Sequence, residues 1–317
     1  MLADVIALLA PGQGSQTPGM LTPWLDDPAT DSAGSGLAAW SETTGLDLRR
    51  LGTTADAEEI KDTAVTQPLV VATALLAAAR LAARVELPAP APTAGHSVGE
   101  LAAAAVAGVL SPDAAVALAA VRGREMAAAC AAEPTGMSAV LGGNPEQVLT
   151  RLGELGLDPA NRNGAGQIVA AGPVAALAAL ADAPPERARV IPLAVAGAFH
   201  TRFMAPAEEA MRAHAVSVRP ADPGRPLLSN AEGAVVTSGE DALNRLVAQV
   251  TRPVRWDECM ATLQKMGVTA VIELPPAGTL VGLVKRELKG TATLALKTPD
   301  DLDKAVELIA QHAGAAR

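Results

Sequence analysis

Gly95-His96-Ser97-Val98-Gly99 sets a serine between two glycines, just ahead of an alanine-rich apolar stretch. In this pattern a strand turns sharply into a helix and the hydroxyl stands exposed at the turn. The following backbone N–H, that of Val98, then faces any oxyanion that forms. The same residues carry a second reading, because Ser97 and Glu100 have the spacing of a capping box, which needs no chemistry. A nucleophilic serine needs a base, and the chain has four histidines. His96 adjoins the serine within the turn and is badly placed to reach back to it. His214 sits among polar residues of a helix, and His312 lies near the end of the chain. His200, in Gly197-Ala198-Phe199-His200-Thr201-Arg202, falls in a strand-end loop of the kind that presents catalytic groups. By elimination it is the candidate base for Ser97. An ordinary capping histidine is the alternative there.

Composition narrows the classes. The chain has 317 residues, 50% of them hydrophobic, enough for one large domain or a large domain carrying an insert. With two Phe, three Trp and no Tyr, the core is aliphatic and tyrosine is excluded as a general acid. A net charge of −9 argues against nucleic-acid binding, which needs a basic footprint. Cys130 and Cys259 form neither a disulfide framework nor a metal-ligand pattern, so a reducing cytoplasm is the expected setting. The apolar N-terminus lacks a basic leader, carries Asp4 and runs into Pro11-Gly12, which favours a buried strand over a signal peptide. The longest alanine-rich runs are broken before they reach membrane-spanning length, so no membrane is expected.

The elements that must position these groups alternate between strand and helix, an α/β pattern. Val5–Leu9 reads as a strand buried in a parallel sheet. It ends in Pro11-Gly12-Gln13-Gly14-Ser15-Gln16, a loop lacking the third glycine of a dinucleotide fingerprint and the Gly-Lys-Ser/Thr of a phosphate loop. Residues 21–45 read as surface loops and short helices. A helix is expected to begin at Thr66-Gln67-Pro68, with proline near its first turn, and to run through Leu87. Ser97–Leu110 is helical, and Ser111-Pro112-Asp113 caps the next helix, which carries Arg122 and Arg124. From Met137 to Leu193 short apolar runs alternate with helices as strand–helix–strand–helix–strand, a small α+β insert. Strands are expected again at 226–229, 268–274 and 292–296, with helices between and after them.

The motifs, taken together, resemble a known family. Pro11–Gln16, Gly95–Glu100, Arg122-Gly123-Arg124 and Gly197–Thr201 occur in the order and spacing of the malonyl-CoA:acyl carrier protein transacylases of fatty acid synthesis and the related acyltransferase domains of polyketide synthases. Asn161–Gln167, Ser229–Gly233, Gln249 and Arg252–Trp256 match as well, so the resemblance covers nearly the whole chain. It departs at Glu273–Thr279, where the family has a Gly-Pro-Gly-like turn.

The resemblance implies a large α/β-hydrolase-like domain with a parallel sheet core, residues 1–129 and 198–317. A small ferredoxin-like subdomain, residues 130–197, is inserted in it. It implies that Ser97 takes a malonyl group from coenzyme A and hands it to the phosphopantetheine thiol of acyl carrier protein, with His200 as base and no bound cofactor. The backbone N–H groups of Gln13 and Val98 would form the oxyanion hole, and the Gln249 carbonyl would orient His200. Arg122 would bind the malonyl carboxylate. Phe199 resembles the malonyl-selective form of the polyketide domains, and Gln16 and Asn163 would line the pocket. The family further implies a monomer. An acidic carrier calls for a local basic patch, for which Lys285, Arg286, Lys289 and Arg202 are candidates. Two rivals are a serine thioesterase or esterase with the same elbow, and a non-catalytic interaction protein on this fold.

Overall fold

The computed structural model describes residues 5–26 and 33–312. Its strands are β1 (Val5–Ala10), β2 (Thr93–Gly95), β3 (Thr135–Gly142), β4 (Asp158–Gly164), β5 (Gln167–Pro173), β6 (Ala188–Pro192), β7 (Leu227–Leu228), β8 (Val235–Val236), β9 (Val254–Arg255), β10 (Val268–Glu273) and β11 (Ala292–Ala295). They form two sheets in a mixed α/β fold, one six-stranded in the order β11-β10-β1-β2-β7-β8, the other five-stranded in the order β6-β3-β5-β4-β9.

The first sheet is parallel from β11 to β7, with β8 added antiparallel at its edge. Its centre, β1, is apolar at every position because both faces are covered. Ile6, Leu8 and Ala10 pack on one side, into the cluster that holds the helix Thr63–Ala82. Ala7 and Leu9 pack on the other, with Trp256, Met260 and Leu263 of the helix Trp256–Lys265 and Leu280 and Val284 of the helix Thr279–Glu287.

In the second sheet β3 pairs antiparallel with β5 and β6, and β4 antiparallel with β5. Val140, Ile168 and Ala170 on one face bury the helices Pro145–Glu154 and Val174–Asp182 through Val148, Leu152, Leu177 and Leu180. Met137, Val169 and Ala171 on the other face join the main cluster. The fifth strand, β9, comes from far along the chain and pairs parallel with β4 through Asn161↔Val254 and Arg162↔Arg255.

Several expectations are corrected. The long helix starts at Thr63, not at 66–68, because Asp62 accepts from Ala64 N and caps it. Pro68 therefore lies inside that helix, which ends at Ala82 rather than Leu87. Although long and apolar enough to cross a membrane, this helix is mostly buried in the protein body. Within 21–45, Ala33–Thr44 is a full helix that inserts Leu37 and Trp40 into the core; residues 27–32 of that stretch lie outside the described residues. The helix after the elbow spans Gly99–Val106, and Ser111 caps Pro112–Cys130 as expected, accepting from Ala114 N at 3.1 Å. Between Met137 and Leu193 there is a further strand, β4, that its polar sequence Asp158–Gly164 concealed.

Candidate active site

Ser97 lies two residues past the end of β2, at the end of the sheet where β1 releases the Gly12–Gln16 loop. Its φ of 54° is left-handed, a conformation that costs a non-glycine residue energy and that the surroundings must enforce. The flanking glycines permit the turn: a Cβ on Gly95 would stand 2.1 Å from the Gly99 carbonyl, and one on Gly99 2.3 Å from the Ala10 carbonyl oxygen. Asn230, fully buried, completes the hold, accepting from Ser97 N at 2.9 Å and donating to the Gly95 carbonyl at 2.8 Å.

The capping box is not formed. Glu100 is 4% exposed and accepts instead from the Asn230 backbone N–H at 2.6 Å and from Gln249 Nε2. Ser97 Oγ is left for His200, whose Nε2 lies 2.7 Å away. His200 Nδ1 lies 2.9 Å from the Gln249 carbonyl oxygen. A carbonyl can only accept, so Nδ1 carries the proton, Nε2 is a free acceptor, and the Ser97 hydroxyl donates to it. Burial, followed by the positive charge of Arg122, pushes the His200 pKa down to about 3. The imidazole is neutral at physiological pH, the form a general base requires.

Arg122 enters from the helix Pro112–Cys130 and is 2% exposed. Its neighbour Gly123 lets two helices touch, since a Cβ there would stand 2.6 Å from the Thr63 carbonyl oxygen. That contact brings Gln67 over Arg122. Nη1 donates to Gln67 Oε1 at 2.7 Å; Nη2 donates to Gln249 Oε1 at 2.9 Å and to Ser97 Oγ at 3.2 Å. Among the described residues Arg122 has no salt-bridge partner. Burial lowers its pKa to about 10, and raises that of nearby Glu100 to about 8 against the hydrogen bonds from Asn230 and Gln249 and the pull of Arg122. A charged guanidinium thus sits beside the serine with two amide oxygens and the serine hydroxyl, not carboxylates, as its acceptors.

A cleft of about 660 Å³ opens over Ser97 and His200. Gln13, Gln16, Gln67, Arg122 and Phe199 line it from the six-stranded side, and Met137, Ala139, Asn163 and Val169 from the face of the second sheet. The backbone N–H groups of Gln13 and Val98 have no acceptor among the described residues. Gln16 Oε1 accepts from Gly14 N at 2.7 Å, which shapes that loop. Asn163 is 8% exposed and accepts from His96 Nε2 at 2.9 Å across the cleft, while His96 packs edge-on against Trp256. The departing turn at Glu273–Thr279 has its own support. The buried Glu273 carboxylate accepts from the backbone N–H groups of Gly278, Leu280 and Val281, holding the helix whose Leu280 and Leu283 form the cleft rim. Lys285 and Arg286 are exposed in the last turn of that helix and Lys289 just beyond its end, and Arg202 is engaged with Asp158 at 3.4 Å and stacked on Phe203.

Sequence reasoning assigned no role to Gln67 or Asn230 and gave Glu100 the wrong one. Glutamine beside a helix-starting proline and asparagine in a polar turn carry no chemical signature of their own.

The acyl transferase domain family matches residues 8–312, and the chain belongs to that family. It is an acyltransferase. Malonyl CoA-acyl carrier protein transacylase of Mycobacterium tuberculosis (strain H37Rv) is 60% identical over 305 residues, 96% of this chain and 100% of that protein. The crystal structure of MCAT from Mycobacterium tuberculosis superposes with a TM-score of 0.90 at 59% identity, covering 95% of this chain and 99% of that one. A malonyl-transacylase solved in complex with a type II PKS acyl-carrier protein gives a TM-score of 0.87 at 30% identity, covering 96% and 99%.

Proposed function

We propose that the protein transfers a malonyl group from malonyl-CoA to the phosphopantetheine thiol of an acyl carrier protein. The observation that carries this reading is the placement of Arg122 Nη2 3.2 Å from Ser97 Oγ, itself 2.7 Å from His200 Nε2. Ser97 Oγ attacks the thioester carbonyl as its proton passes to His200 Nε2. The tetrahedral oxyanion is received by the backbone N–H groups of Gln13 and Val98, each worth roughly 3–4 kcal/mol in comparable sites. Collapse breaks the C–S bond, and the coenzyme A thiolate leaves with the proton from His200. The carrier thiol then repeats the sequence in reverse on the malonyl-serine ester. Gln249 holds the imidazole through its carbonyl, where a triad would use an acid. Arg122 binds the malonyl carboxylate; an acetyl group would leave that guanidinium desolvated and unpaired. Phe199, Gln16 and Asn163 bound the acyl pocket.

The body at 1–129 and 198–317 we read as α/β-hydrolase-like and the unit at 130–197 as a ferredoxin-like subdomain; the βαββαβ succession from β3 to β6 supports the second assignment. A coenzyme A thioester is the donor, no bound cofactor enters the chemistry, and the enzyme works as a cytoplasmic monomer.

The test is intact mass after mixing with malonyl-CoA or acetyl-CoA. A malonyl adduct that is lost in Ser97→Ala and discharged by holo carrier protein is the expected result. Turnover to free malonate without a carrier would replace the reading by a hydrolase.

A further inference from the structure

Glu100 is a buried acid directly behind Ser97, 4% exposed, and the reaction as described does not use it. Its two oxygens each receive one donor, Asn230 N at 2.6 Å on Oε1 and Gln249 Nε2 on Oε2. Both neighbours then act on the reacting groups. Asn230 fixes the Ser97 and Gly95 backbone. Gln249 turns its Oε1 to Arg122 at 2.9 Å and shares its Nε2 with the Ser97 carbonyl at 3.1 Å.

The polarity of this chain of contacts admits one arrangement. A guanidinium has only donors, so the Gln249 amide must show it oxygen, and its nitrogen must then face Glu100. The group at position 100 must therefore accept on both atoms. A carboxyl group keeps an acceptor lone pair on each oxygen whether or not one is protonated, whereas an amide does not. With glutamine at 100, a donor would face either Asn230 N or Gln249 Nε2. Turning the Gln249 amide to relieve the second conflict would set its nitrogen against Arg122.

We infer that Glu100 is a positioning residue for acyl-group selection: through the Gln249 amide it fixes the orientation in which Arg122 meets the carboxylate of the incoming acyl group. The inference rests on the malonyl-transfer reading above. It separates two functions of Gln249, whose backbone carbonyl serves His200 and whose side chain serves Arg122.

Single-turnover loading of the full-length enzyme by malonyl-CoA and by acetyl-CoA tests it, with Glu100→Gln, Gln249→Leu and the double variant. Each single variant is expected to lower the malonyl-to-acetyl loading ratio by roughly tenfold. The double variant should lower it no further, because both changes cut the same link. Equal losses for the two donors, or ratio changes that multiply in the double variant, would overturn the role. Should Glu100→Gln fail to fold, an unchanged ratio in Gln249→Leu overturns it alone. Failure of wild type to form a malonyl adduct on Ser97 would instead remove the underlying reading.

Discussion

Arg122 Nη1 donates to Gln67 Oε1 at 2.7 Å, so the guanidinium is aimed by an amide that leaves its charge uncancelled. Gln67 is 1% exposed and its Nε2 contacts Met126 Sδ at 3.6 Å, which fixes the direction of the oxygen. A carboxylate in its place would pair with Arg122 in a buried, bidentate-capable contact and compete with the acyl carboxylate. Gln67→Glu is expected to slow malonyl loading by roughly 100-fold, about 2.7 kcal/mol, with a several-fold smaller effect on acetyl loading. Loading rates for the two donors decide it.

Removing the guanidinium is the complementary change. Arg122→Ala takes away the proposed partner of the malonyl carboxylate and also the donor that reaches Ser97 Oγ. Malonyl loading is expected to fall by roughly 1000-fold and acetyl loading by far less, since truncating one partner of a buried charged contact costs a few kcal/mol. Equal losses measured for both donors would take Arg122 out of the carboxylate role.

The pH dependence follows from His200. Its pKa is depressed to about 3, so the neutral base persists on acidification. The malonyl-loading kcat/KM is expected to stay flat from about pH 7 down to about pH 5, where an unperturbed imidazole would already have lost most of its base form. A pH–rate profile with an acid limb near 6.5 would contradict this. The sign for stability is fixed by the same depression. The unfolded chain gains the proton first, so the His200 contribution is full above the unfolded value near 6.5 and is lost as pH falls toward about 3.

The elbow itself is a packing problem. A Cβ on Gly99 would stand 2.3 Å from the Ala10 carbonyl oxygen and 2.6 Å from that of Pro11, both backbone atoms that cannot swing away. Gly99→Ala is expected to cost about 3 kcal/mol of stability by overpacking, read as a fall of several degrees in Tm. Loading should fall as Ser97 shifts relative to His200. An unchanged melting curve with full activity would show that the strand end yields.

Much of this arrangement was legible before the structure because it rests on sharp local signals. The glycine-flanked serine announced its turn, the apolar run at β1 announced a strand covered on both faces, and His200 emerged by counting. The parts that stayed hidden are those whose meaning comes only from distant partners. Glu100 has the spacing of a cap, and nothing local says that Asn230 and Gln249 will claim its carboxylate. Asp158–Gly164 is too polar to read as a strand; it becomes β4 because β5 and β9 pair on either side of it. The helix start moved to Thr63 because Asp62 caps more strongly than the proline suggests.

The pairing of β4 with β9 has a further consequence. Residues 130–197 meet the rest of the chain through a shared backbone ladder, reinforced by Arg162–Asp257 at 3.3 Å and by the Glu287 carboxylate on Ala165 N at 2.5 Å. Cut out on its own, that segment would expose the hydrogen-bonding edge of β4 along with the apolar side chains of Met137 and Val169, a template for self-association. Within the intact enzyme the same ladder ties the far wall of the cleft to Val254 and Arg255, a few residues beyond the Gln249 carbonyl that accepts from His200 Nδ1.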